Sequence, residues 1–154
     1  MILVSACLMG HRVRYDGRHS RCDQVRGLLA GEPVLALCPE VLGGLGTPRP
    51  PARFVGACFG REGEDLLAGR ARLVNDQGRD VSLAFAQGAR VAAELCARHG
   101  VRLALLKDRS PSCGWDPEGV NPQGGPGQGV LAALLRQMGI TVREVRSGAR
   151  GERR

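Results

Sequence analysis

Aromatic side chains are scarce in this chain: they make up 3% of 154 residues, as one Trp, one Tyr and three Phe. Leu, Val and Ala must therefore fill the core. Arginines interleaved with stacking aromatics, the usual face of a single-strand nucleic-acid binder, are missing too, so no nucleic-acid partner is expected. No apolar run approaches the roughly 20 residues that cross a bilayer, and no basic stretch precedes Met1-Ile2-Leu3-Val4 as in a signal peptide. Neither a membrane partner nor export is expected, and the chain reads as cytoplasmic. Histidine is limited to His11, His19 and His99, none at ligand spacing. The paired C-x-x-C of structural zinc is also absent. Lysine is nearly missing: among 22 basic residues only Lys107 is one, a bias that looks like coding preference as much as chemistry.

The net charge is +7. Four arginines and one glutamate between Arg146 and Arg154 account for +3 of it. That segment is expected to be a solvated, disordered tail on a single α/β domain covering residues 1–145.

Cysteine, by contrast, is plentiful, with six in the chain. In a reducing compartment such a set points away from disulfides and towards metal or catalytic use. Three of them stand just past short apolar runs. Ile2-Leu3-Val4-Ser5-Ala6 leads into Cys7, and Val34-Leu35-Ala36-Leu37 into Cys38. The run from Val101 to Leu106 leads through Lys107-Asp108-Arg109-Ser110-Pro111-Ser112 to Cys113. Each run reads as a buried strand and each cysteine opens a Gly-, Pro- or Ser-rich loop. Open parallel sheets bind ligands at the carboxyl ends of their strands, so three thiols from three strands would meet at one point. Cys96 instead lies on the apolar face of a helix, where free cysteine packs as a small hydrophobe. Cys22 and Cys58 carry no comparable loop signal.

The remaining segments alternate in the same way. Residues 21–30 read as a helix bearing Val25, Leu28 and Leu29, with Gly31 as C-cap and Pro33 as a stop. Gly43 to Pro51 is too rich in Gly and Pro for regular structure. Phe54-Val55-Gly56 and Ala71 to Val74 read as weak strands of an edge hairpin or excursion. Asp80 looks like the N-cap of a long helix ending at Gly100. Residues 112–129 form a loop, 129–138 a helix capped by Gly139, and 140–145 a last strand. Strands alternating with helices imply crossovers and a parallel sheet. The expected fold is thus α/β, a Rossmann-like three-layer domain with a mostly parallel sheet.

The loops carry candidate chemistry. In Cys38-Pro39-Glu40 a carboxylate follows a thiol by two residues, where it can be a ligand, a proton carrier or a water activator. Ser110-Pro111-Ser112-Cys113-Gly114 offers two hydroxyls and a thiol on one turn. Three thiolates suit a zinc ion with one further ligand, or an iron–sulfur cluster, which usually takes four cysteines and would be left here with one open iron. Trp115 could stack on a flat ligand or simply cover its loop.

Taken in order, these motifs resemble the DUF523 family of bacterial thiouracil desulfidases. The resemblance rests on Val4 to Gly10 with Arg14-Tyr15-Asp16-Gly17, on Cys38 to Arg49, on Leu106-Lys107 with Ser110 to Gly114, and on Gly129-Val130 with Ala132 to Leu135. It implies a [4Fe–4S] cluster on Cys7, Cys38 and Cys113, oxygen-labile at its open iron, which takes the sulfur of a small thiolated base. It also implies non-redox exchange of C=S for C=O with water, with Glu40 and Ser110 as the acid/base groups. Ser112, Trp115 and Arg49 are the expected substrate contacts. The chain departs from the family in having Val13 where many relatives have a further cysteine, and Trp115-Asp116-Pro117-Glu118-Gly119 after the third motif. The competing reading is a non-catalytic iron–sulfur or zinc module, a sensor or sulfur carrier, which has no need of Glu40 and Ser110 beside an open coordination position.

Overall fold

Alternation along four short strands gives this chain two apolar faces, and both are covered by helices. The computed structural model describes residues 1–147. In chain order the elements are β1 (Ile2–Ser5), a 3₁₀ turn (Ala6–Met9), α1 (Asp23–Leu29), β2 (Val34–Leu37), α2 (Pro39–Leu42) and β3 (Ala52–Val55). They continue with α3 (Glu62–Leu67), β4 (Arg72–Asn75), α4 (Ser82–Arg98), β5 (Leu103–Lys107), α5 (Val130–Gln137) and β6 (Thr141–Val145). The main sheet has the order β2-β1-β5-β6, and every pairing in it is parallel. Successive residues of a strand point to opposite faces. Ile2, Val4, Leu105 and Val145 therefore pack with Val25 of α1 on one side. Leu3, Ala104, Leu106 and Val142 pack against α4 and α5 on the other. The result is the expected three-layer α/β architecture.

The order of the strands decides where a site can form. The chain runs from β1 outward to β2, then returns to lay β5 on the other flank of β1. Connections leave the neighbouring strands β1 and β5 towards opposite sides, opening a crevice at their carboxyl ends. The weak strands β3 and β4 form an antiparallel pair outside the main sheet, an excursion inserted between β2 and α4.

Helix α4 presents Ala86, Ala89, Ala92, Ala93 and Cys96 to the core. Cys96 is fully buried as expected, and burial alone pushes its thiol up to about 11. Small residues here allow close approach. A Cβ on Gly88 would run into the Pro39 carbonyl, and one on Gly43 into the Ala84 carbonyl, so glycine at both places lets α2 lie directly on α4. Residues 39–42 and 62–67, to which no element is assigned from the sequence, are helices of four and six residues, too short to show a 3.6-residue period. The left-handed end of α1 falls first on Ala30 (φ 50°) and continues into Gly31 (φ 79°). The cap position of α4 is Val81 rather than Asp80, although Asp80 accepts a 2.9 Å hydrogen bond from the Ser82 amide just inside the helix.

The expected tail needs one correction. Arg146 and Ser147 belong to the folded part: Ser147 is buried, and its amide and hydroxyl each donate to Asp108 Oδ1 at 3.1 Å. The rest of that expectation concerns residues 148–154, which lie outside the described residues. Among the described residues no helix is long and apolar enough to cross a membrane.

Candidate active site and cluster centre

Each of the three strand-end cysteines is fixed by its own local device. Cys7 sits in the 3₁₀ turn after β1, and its carbonyl accepts from the Gly10 and Ser20 amides. Gly10 closes that turn in the left-handed conformation, φ 96°, which a side chain would resist. Cys38 occupies the cap position of α2, with Pro39 at the first helical position, where a missing N–H costs nothing. Glu40 follows in the first turn of that helix. In the loop after β5, Ser110 Oγ accepts from the Ser112 amide (3.1 Å) and the Cys113 amide (3.0 Å). The first amides of α5 donate to the Pro111 and Ser112 carbonyls, so the helix end grips the loop that carries the third thiol.

All three cysteines line one cavity of about 270 Å³ at the carboxyl ends of β1, β2 and β5, together with Glu40, Arg49 and Ser110. The convergence expected from three separate strand ends is therefore present. The thiols also sense one another. Burial pushes Cys7 up to about 12, with Cys38 and Glu40 adding to the rise and Lys107 and Arg14 opposing it. Cys113 is raised by complete burial and by Cys7, Cys38 and Glu40, against a hydrogen bond from Ser5. Cys38 is raised mainly by burial, partly offset by backbone amides and Arg49. Three thiols gathered in one cavity are a donor set for a cationic group, which would bind as they lose their protons.

The spacing bears on which group fits. Three thiolates on one zinc stand roughly 3.8 Å apart, from Zn–S bonds of about 2.3 Å at tetrahedral angles. Among the described residues no three His, Cys, Asp or Glu side chains are grouped to hold a single metal ion. A cubane would instead spread its three thiolates roughly 6–7 Å apart, and all three cysteines line one cavity here.

Both carboxylate oxygens of Glu40 are held. Its Oε1 accepts from Arg49 Nε at 2.9 Å, and its Oε2 faces the hydroxyls of Ser112 (3.3 Å) and Ser110 (3.5 Å). Arg49 gives its other donors to the Val13 carbonyl (2.8 Å), the Gly46 carbonyl (3.2 Å), Thr47 Oγ1 (3.1 Å) and Cys38 Sγ (4.0 Å). Arg49 thus ties Glu40 to the loops around it. Ser112 is wholly buried and reaches the site only through Glu40. Trp115 is not among the residues lining the cavity. Its amide donates to Glu144 Oε1 at 3.0 Å, and its ring lies under the Arg136 guanidinium, 4.6 Å from the ring centroid. The aromatic side chain that does line the cavity is Tyr15, half exposed at 44%.

The profile of the 2-thiouracil desulfurase family matches residues 2–146. The chain belongs to this family. A curated relative from Bacillus subtilis (strain 168), the uncharacterized protein YbbK, is 38% identical over 148 residues, covering 92% of this chain and 93% of its own. Among solved structures, the [4Fe-4S]-dependent thiouracil desulfidase TudS is similar at 40% identity and a TM-score of 0.72, with 93% of this chain and 89% of that chain covered. The α/β fold and the family expected from the motifs are both borne out.

Arg14, Tyr15, Lys107, Asp108 and Arg109 also line the cavity, though the motifs assign none of them a role in the site. Signals for two of them were available. Tyr15 is the chain's one tyrosine and Lys107 its one lysine.

Proposed function

We propose that this chain is a non-redox desulfidase that hydrolyses the C=S of a small thiolated base such as 2-thiouracil to C=O. Cys7, Cys38 and Cys113 would hold a [4Fe–4S] cluster. The observation carrying this reading is the meeting of those thiols with Glu40 and Ser110 in one cavity of a desulfurase-family chain. When bound, the cluster supplies one iron without a protein ligand, a Lewis acid for the thiocarbonyl sulfur.

The protein's own groups do the proton work. Water attacks the thiocarbonyl carbon, a C–O bond forms, the C–S bond breaks, and sulfur leaves as sulfide. Glu40 takes the proton of the attacking water, which requires an ionised carboxylate pointed into the cavity. Arg49 fixes one carboxylate oxygen, and the Ser110 and Ser112 hydroxyls hold the other in place. Ser110, which also lines the cavity, passes a proton towards the departing sulfur. In this account Arg49 and Ser112 position Glu40. Tyr15 is the surface for the flat ring, in place of Trp115. A pure binding module would leave this orienting set without a purpose.

Reconstituted and assayed without oxygen in ¹⁸O-labelled water, the protein should convert 2-thiouracil to uracil bearing one ¹⁸O, with one sulfide released per turn and no reductant consumed. Cys38→Ser should lose both bound iron and sulfide release. Sulfide release by a Cys38→Ser protein that binds no iron would overturn the reading.

A further inference from the structure

In a chain where every other basic residue is arginine, the single lysine lines the cavity. Lys107 is no surface residue, for its side chain is only 11% exposed. Its backbone is pinned to the neighbouring strand by a 2.9 Å bond from its amide to Ser5 Oγ, and Ser5 in turn hydrogen-bonds the Cys113 sulfur. Its ammonium donates to the Asp108 carbonyl (2.9 Å) and to Asp108 Oδ1 (3.1 Å). An ammonium has three protons, and among the described residues no third acceptor is bonded.

Asp108 is itself fixed from several sides. Besides Lys107 it accepts from Asn121 Nδ2, from Ser147 and from Arg109 Nε at 3.2 Å. Burial opposes its charge, but Lys107, the Ser147 amide and Asn121 prevail and hold its carboxyl down at about 2. One carboxylate shared by Lys107 and Arg109 leaves this trio with a net charge of +1. Of the charges acting on Cys7, Lys107 opposes its rise most strongly, ahead of Arg14. Arg49, by contrast, is paired with Glu40 and reaches only the Cys38 sulfur, at 4.0 Å. A planar five-donor guanidinium and a compact ammonium are not interchangeable at so enclosed a place.

Resting on the desulfidase reading, we propose that Lys107 is a positioning residue of the sulfur chemistry. It is a fixed, compact cation, locked by Asp108 and Arg109, that compensates the negative charge of the thiolate-held group and of the departing sulfide. Buried negative charge without such a partner is costly. Because the trio is preorganised, it needs no rearrangement as charge develops.

The test uses the protein reconstituted anaerobically with iron and sulfide. Lys107→Met keeps the length and apolar stem of the side chain and removes the charge. The midpoint potential of the bound group, read by spectroelectrochemistry, should move to a more negative value, because potentials of such groups follow local charge. The kcat for sulfide release from 2-thiouracil should fall roughly 10²-fold, with KM little changed. Arg109→Gln, altering a partly exposed side chain, should shift the potential the same way by less, and it carries the test should Lys107→Met fail to take up iron. A wild-type potential in Arg109→Gln, or a wild-type potential and kcat in Lys107→Met, overturns the inference while leaving the desulfidase reading intact. Failure of the wild-type protein to load or to release sulfide overturns that reading first, and this inference with it.

Discussion

The two ends of the parallel sheet are built from different material. At the amino end, helices return to strands through short turns that close on Gly31, Gly100 and Gly139, at φ values of 79°, 63° and 80°. A Cβ added at any of these three would meet nothing within 4 Å. At the carboxyl end the connections are long and hold Cys7, Cys38, Glu40, Lys107, Ser110 and Cys113 around a cavity. One end needs only backbone conformations. The other needs specific atoms, held by neighbours that are themselves tied down.

Three substitutions probe this contrast in order of decreasing effect. Glu40→Gln keeps the shape at the carboxyl end and removes the base. It should retain iron yet lose roughly 10²–10⁴-fold in sulfide release, the usual worth of a positioned acid or base. Iron and sulfide assays on one preparation read both quantities. Full activity would take Glu40 out of the mechanism, and loss of iron would make it a ligand.

Asp108→Asn should cost stability, by about 3 kcal/mol, because it leaves Lys107 without its buried counter-charge. The sign with pH follows from a carboxyl held at about 2 in the fold against about 3.9 in the unfolded chain. Its contribution is complete above about pH 4 and is lost as pH falls towards 2. Urea unfolding at pH 7 should therefore separate wild type from variant, with the gap closing near pH 2. An equal gap at both pH values would contradict the assignment.

At the amino end, Gly139→Ala should cost only about 1–2 kcal/mol, the strain of a left-handed residue bearing a Cβ. Sulfide release per folded molecule should be unchanged. A fall in kcat here would erase the distinction between the two ends.

The same division explains what could be read from the sequence. The strands were legible as short apolar runs, and the cysteines as residues just beyond them, because strand-end placement in a parallel sheet is a topological consequence. The turns α2 and α3 were not, since four and six residues are too few to display a helical period. The boundary at residue 145 fell short because Ser147 is held by Asp108, a contact 39 residues distant in the chain that no local pattern announces. Trp115 read either as a substrate platform or as a cover for its own loop; the ring lies against Arg136, beside the close packing of Gly114 and Gly129 on the loop backbone. Glu40 was marked by its neighbour Cys38. The orientation given to it by Arg49, Ser110 and Ser112 needed three dimensions.

The central claim is that three thiols at the carboxyl end hold an open iron–sulfur cluster. It is tested most directly by iron, zinc and acid-labile sulfide analysis of the anaerobically reconstituted protein, with its absorption spectrum. The account predicts about four iron and four sulfide per chain, falling to background when Cys7, Cys38 or Cys113 is replaced by serine and unchanged when Cys96 is. Stoichiometric zinc that persists through iron reconstitution, with no sulfide, would contradict it.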